Sequence, residues 1–161
     1  MHNRIAELIE RLTLQPHPEG GYYHEIYRSA AEVNPGDERD MRSALTTIFF
    51  LLHASQHSCW HRVRSDEVWH FYEGDPLELI QLDPNSETVH TDLIGPIDET
   101  GKPVAIVPAD CWQAARTTGE YTLVGCTVGP GFAFEDFQLL RDIEKEADFI
   151  RNRFPELSEY L

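Results

Sequence analysis

From Tyr22 to Phe134 the chain never keeps one apolar pattern for long before a turn signal cuts it. Asn34-Pro35-Gly36-Asp37, Asp75-Pro76, Asp83-Pro84-Asn85-Ser86, Gly95-Pro96, Pro108-Ala109-Asp110, Thr118-Gly119 and Gly129-Pro130-Gly131 punctuate it, and Glu99-Thr100-Gly101-Lys102-Pro103 frames one more loop. The stretches between them, at 22–29, 43–53, 77–82, 88–94, 104–107, 112–116 and 121–128, are short and rich in β-branched and aromatic residues. Such residues fit a pleated, half-buried surface, and many short strands with turns between them fold as a sandwich or barrel. Only the two ends change period. Ile5, Leu8, Ile9 and Leu12 recur at helical spacing over 3–13, with Asn3 as the expected N-cap. Leu139, Ile143, Ala147, Ile150 and Phe154 do the same over 139–154. The expected fold is therefore all-β: one domain over 1–161, a barrel over about 22–137, and a short helix at each end.

The stretch Trp60 to Gly74 holds the chemistry. It reads as two strands joined by a polar corner, the first carrying His61 and the second beginning at Glu67. Alternate side chains of a strand share a face, so His61 and Val63 point the same way, as does Cys59. If the corner returns Glu67 to that face, an imidazole and a carboxylate meet beside Trp69 and Phe71. His70, three residues from Glu67, points to the opposite face unless a bulge intervenes. Gln81 shares parity with Leu77 and Leu79 and is expected to point inward. The turn Pro16-His17-Pro18-Glu19-Gly20-Gly21 precedes the first strand; there His17 and Glu19 are open to a functional role, with a capping or turn role as the preferred reading.

The 161 residues carry a formal net charge of −15, which counts against nucleic-acid and anionic-membrane partners. Arg28, Arg62, Arg64 and Arg116 sit inside expected strands, where most read as solvated or ion-paired. No apolar run approaches the ~20 residues that span a bilayer, and charges at Arg4, Glu7, Glu10 and Arg11 break up any signal-peptide core. The three cysteines, Cys59, Cys111 and Cys126, have no CxxC spacing. That set reads as a reduced, cytoplasmic protein rather than a disulfide scaffold.

Placed together, these residues resemble the cupin superfamily of double-stranded β-helix barrels. Its first motif is met at His61, Glu67 and Gly74, with Val63 at the second His position and Ser55 at the first Gly. Its second is met by Pro108-Ala109-Asp110-Cys111-Trp112-Gln113, with Asp110 for Gly and Gln113 for His. Pro16 to Tyr22, Ser43 to Leu52, Asp66 to His70 and Pro108 to Arg116 resemble one branch in particular, Cupin_5 (DUF985). The resemblance implies a jelly-roll-like barrel and a homodimer.

It implies a small-molecule ligand inside the barrel. In metal-dependent cupins three His and one Glu close on the ion; here only His61 and Glu67 remain, too few for a tight site. No cofactor is expected, and a divalent metal, if bound, would rest on those two. Metal-free cupin epimerases imply a different role, with His61 and Glu67 as an acid–base pair acting on a sugar or nucleotide-sugar. Tyr22, Tyr23, Tyr27, Tyr72 and Tyr121 are candidate acids. Arg62, His70, Tyr72, Gln81, Trp112 and Gln113 are the expected substrate-binding residues. Two alternatives stand beside this isomerase or epimerase: a non-catalytic protein binding a nucleotide or other small anion, with His61 and Glu67 a plain polar pair, and a metal-dependent cupin enzyme.

Overall fold

The computed structural model describes residues 3–98 and 101–161. Helix α1 (Asn3–Arg11) is followed by β1 (Gln15–Pro16), β2 (Tyr22–Arg28), β3 (Glu32–Val33), β4 (Arg42–Ser43), β5 (Thr46–His53), β6 (His57–Val63) and β7 (Asp66–Gly74). Then come β8 (Leu77–Asp83), β9 (Thr88–Ile94), β10 (Val104–Val107), β11 (Trp112–Thr117), β12 (Tyr121–Gly129), β13 (Phe137–Leu139) and α2 (Glu144–Arg153). One antiparallel sheet runs β1-β2-β5-β12-β7-β10 and a second runs β13-β6-β11-β8-β9, with β3 and β4 paired apart. The side chain of Asn3 and the loop residues Glu99 and Thr100 lie outside the described residues.

The expected all-β, jelly-roll-like architecture is present, and its core explains the sequence pattern. Phe50, Leu52, Trp69, Leu77, Leu79, Val124 and Cys126 pack between the sheets. The back of the second sheet is covered as well: Trp60, Ile80, Leu82, Trp112 and Ala114 bury against Leu140, Ala147, Ile150 and Tyr160. A sheet buried on both faces needs apolar residues at both parities, which is why Leu77 to Leu82 reads as nearly continuous. Burying these aliphatic and aromatic side chains is worth roughly 1.5–3 kcal/mol each. On the first sheet Ile5 and Leu8 of α1 pack with Leu51 and Leu123.

Two boundaries differ from expectation. Leu139, expected to open the C-terminal helix, instead ends β13, which pairs Phe137, Gln138 and Leu139 with Val63, Arg62 and His61. A 3-10 turn (Leu140–Asp142) follows, so the helix begins only at Glu144. The apolar spacing there was shared by an edge strand and a helix, and pairing with β6 decided it. At the other end α1 stops at Arg11 because Thr13 adopts a left-handed φ of 53°. The predicted loop 30–43 contains the short β3–β4 pair.

Three local devices set the interior. First, β6 carries a bulge: Gln113 of β11 faces His61, but Ala115 faces Ser58, so β6 uses one residue more than its partner. Ser58 and His61 thereby share a face, and the expected inward Cys59 is displaced to half-exposure, its Sγ 3.6 Å from Arg141 Nη1. Second, the turn before β2 folds onto β6, where Cys59 N–H donates to the Glu19 carbonyl at 2.7 Å. Gly20 (φ +109°) sits so close to β6 that a Cβ would overlap the His57 carbonyl, and Gly21 (φ +72°) is likewise left-handed. Third, Arg42 Nε and Nη2 hold Asp136 at 2.9 and 3.1 Å, tying the segment 132–137 to β4.

Replacing Gly20 by Ala combines a left-handed backbone with a clash against main chain that cannot move aside. The expected loss is about 2 kcal/mol or more, read as a fall in Tm of roughly 4–8 °C. A Gly20→Ala protein melting at the wild-type temperature would show that this turn is not clamped on β6.

Candidate functional site

Between the sheets lies a cavity of about 400 Å³. The titratable groups at its closed end come from three elements. The β1–β2 turn brings His17 and Glu19, β6 brings His61, and β7 brings Glu67. Aromatic and aliphatic side chains line the rest, among them Tyr23, Phe50, Val63, Phe132, Phe134 and Phe137. Glu19, His61 and Glu67 are buried at the closed end, whereas His24, Glu25, Arg28 and Phe134 are more exposed and mark the mouth.

The hydrogen bonds fix where protons sit. His61 Nδ1 lies 2.8 Å from the Cys59 carbonyl, an acceptor only, so Nδ1 carries the hydrogen and Nε2 offers a lone pair. That lone pair points at Glu19 Oε2, 3.2 Å away. His17 Nδ1 accepts the Glu19 backbone N–H at 3.3 Å, so it too presents a lone pair, and Oε2 is 3.3 Å from it. Ser58 Oγ donates to Glu19 Oε1 at 2.8 Å. Glu19 Oε2 thus faces the free lone pair of His61 and a His17 Nδ1 already accepting from the backbone, and neither nitrogen has a hydrogen to give a carboxylate. It must be the protonated oxygen.

Burial agrees with this count. It pushes Glu19 up to about 8, only partly opposed by the Ser58 hydroxyl. It pushes His17 down to about 3, with His61 adding to the fall. His61 is lowered by burial too, against the opposing pull of Glu67 and the Cys59 carbonyl. The close His–Glu pairs are therefore neutral hydrogen bonds rather than ion pairs. Glu67 is raised by burial to about 7, moderated by His61 and by hydrogen bonds from Gln113 and Cys126.

Of the sequence-predicted residues, His61 and Glu67 both line the cavity, although the carboxyl touching His61 is Glu19. Gln113 stands behind Glu67, donating from Nε2 to Glu67 Oε2 at 2.5 Å. The others lie elsewhere. Trp112 points outward into the core under α2, with the Arg62 guanidinium stacked 4.4 Å above it. His70 sits opposite Glu67, because β7 pairs with β10 unbroken from Glu67 to His70 and its irregularity comes only after Phe71. Tyr72 is half exposed beside α1 rather than in the cavity. Gln81 points inward as expected, yet its amide is taken up by Asp92 and the Ile106 carbonyl. Of the five candidate tyrosines, Tyr23 lines the cavity. His17 and Glu19 were missed as site residues; a His and an acid in a turn held by paired glycines was the available signal.

The four cupin ligand positions are held by His61, Val63, Glu67 and Gln113. Val63 offers no donor. Trp69 Nε1, which can only donate, is 3.0 Å from Gln113 Oε1 and so fixes that oxygen away from Glu67. The amide end facing the interior is the NH₂, which cannot ligate a cation. Among the described residues no group of three His, Cys, Asp or Glu is arranged to hold an ion. The residues do not fit the metal.

A family model described as Cupin superfamily (DUF985) matches residues 6–140. A hypothetical protein from Leishmania major is similar over 95% of this chain and 93% of its own, at 32% identity and a TM-score of 0.81. A protein from Shewanella oneidensis is similar at 30% identity and a TM-score of 0.80, over 95% and 91% of the two chains. Oxalate decarboxylase from Bacillus subtilis shares the fold at 14% identity and a TM-score of 0.60, over 91% of this chain and 36% of that one. No curated protein matches the chain.

The raised carboxyls make stability depend on pH in a definite direction. Unfolded, Glu19 and Glu67 ionise near their ordinary value of 4.5; folded, they hold their protons to about 8 and about 7. Their contribution is full below the unfolded value and is lost as pH rises through the folded ones. His17 acts oppositely, its contribution being lost as pH falls below 6.5 toward about 3. Tm is expected to decline from about pH 5, gently while His17 offsets one carboxyl and more steeply above pH 6.5, to about pH 8, by the equivalent of a few kcal/mol, and Glu19→Gln to flatten the upper part of that decline. A flat wild-type profile would contradict the burial of these acids.

Proposed function

Because this chain belongs to the Cupin_5 (DUF985) family of the cupin superfamily, whose fold hosts many chemistries, we propose its activity from the cavity alone: a metal-independent isomerase or epimerase moving a proton on a sugar-sized polar ring compound. The observation that carries this is Glu19 Oε2 held between the lone pairs of His17 and His61, with Glu67 on the same cavity.

Two buried acids with separated proton affinities can divide the work. Glu67, the first to ionise, takes the proton from the carbon next to the substrate's carbonyl, and the electron pair moves onto that oxygen as an enol. The Glu19–His61 pair hydrogen-bonds the oxygen and supplies a proton as the double bond shifts or the carbon is reprotonated. Tyr23 is the cavity tyrosine able to donate from another side. His61 keeps its tautomer through the Cys59 carbonyl, so Nε2 remains the working atom. The aromatic walls suit the apolar faces of a sugar ring. In a nucleotide-sugar the nucleotide would lie at the mouth, beside His24 and Arg28.

A bell-shaped dependence of kcat/KM follows, rising through about pH 7 as Glu67 ionises and falling through about pH 8 as Glu19 does. The test begins with a thermal-shift screen of sugars, sugar phosphates and nucleotide-sugars, followed by turnover of whatever binds. Glu67→Gln should lower turnover by a factor of about 10² or more, and a chelator should change neither turnover nor the ligand-induced Tm shift. Binding without turnover in the wild type would make the protein a binder; activity lost to chelator and restored by a divalent ion would end the metal-free reading.

A further inference from the structure

The cavity's charged groups point to what it admits. Its closed end has the two acids Glu19 and Glu67, and Glu25 stands at the mouth. Among the described lining residues there is no lysine, and the one arginine, Arg28, is engaged. Its Nε and Nη2 hold both Glu25 oxygens at 2.9 and 2.8 Å, and Nη2 also donates to the Phe132 carbonyl at 3.0 Å. A phosphate or carboxylate moved to the closed end would meet buried carboxyls and no free cation. Phe132, Phe134 and Phe137 stand edge to face, 5.0 to 6.2 Å apart, on a wall that runs from the exposed Phe134 to Phe137, 5.5 Å from the His61 ring. Ring faces attract positive charge, and more so where water is excluded.

We infer that the closed end of this cavity receives an organic cation, an amine or quaternary ammonium group borne by the ring compound, so that the sugar of the preceding reading, on which this rests, is an amino sugar. The cation sits against Glu67, with the phenylalanine rings along its path. Glu67 is faced by His61 from β6, Gln113 from β11, Cys126 from β12 and Glu19 from the β1–β2 turn; none of these brings a positive charge. In the empty cavity burial holds the proton on Glu19 up to about pH 8 and on Glu67 up to about pH 7. An arriving cation supplies the missing charge, Glu67 ionises, and its proton leaves to solvent. Binding is thus coupled to proton release and strengthens as pH rises through about 7.

Calorimetry with three ring probes of one shape tests this: cyclohexylammonium, cyclohexanol and cyclohexanecarboxylate. The amine should bind at least about tenfold more tightly than the alcohol and the carboxylate more weakly than either. That preference should grow from about pH 6 to about pH 8, with proton release shown by buffers of different ionisation heat. Glu67→Gln should bring amine and alcohol close to parity. Phe137→Leu, at the ring 5.5 Å from that of His61, should weaken the amine about threefold and leave the alcohol alone. Equal binding of amine and alcohol to the wild type, or tighter binding of the carboxylate, overturns the cation while leaving the acid–base reading intact. If none of the three binds and no sugar shifts the melting temperature, both fall.

Discussion

One hydrogen atom between Glu19 and two imidazoles governs the interior. Neither imidazole can supply it, since each already spends its own N–H elsewhere or accepts from the backbone, so the carboxyl must keep it. A charged Glu19 in this place would set an anion against two lone pairs inside a low-dielectric space, with only the Ser58 hydroxyl to help. Everything that positions the turn serves this contact: the left-handed glycines, the Cys59 N–H on the Glu19 carbonyl, and the bulge that rotates Ser58 and His61 onto one face.

The hydrogen bonds behind Glu67 are ordered in series. Trp69 orients Gln113, and Gln113 orients Glu67, so a neutral amide occupies the place where a cupin metal site would have an imidazole. Unmade hydrogen bonds in such surroundings cost about 1–3 kcal/mol each. An ordered chain from indole to amide to carboxyl avoids that cost and presents one defined oxygen pair to the cavity. It also separates this interior from that of relatives built around an ion: same shell, different donors.

Much of the architecture was legible because strand chemistry is local. The β9 and β10 spans, 88–94 and 104–107, came directly from turn residues and β-branched content. Alternation placed His61 and Glu67 together, set His70 apart, and turned Gln81 inward. It failed where the period itself was broken or shared. The β6 bulge is invisible in sequence, since no residue of His57–Val63 announces it, and it undid the placement of Cys59. Leu139 fits a helix as well as an edge strand. His17 and Glu19 looked like turn residues because they are; their second role depends on the strand the turn lies against, nearly forty positions later. Trp112 and Arg62 went to the outer face for the same kind of reason, since only the presence of α2 makes that face a core.

The cavity's two sides come from opposite ends of the barrel's sequence. The ring of His17 lies 5.8 Å from that of Phe137, and the Arg42–Asp136 ion pair joins positions 94 apart. Contacts of such long range close late, after the loops they span have been paid for in entropy. The segment 132–137 is the wall that shields Glu19, His61 and Glu67 on that side: Phe132, Phe134 and Phe137 line the cavity, while the Arg42–Asp136 pair and the pairing of β13 with β6 keep them in place.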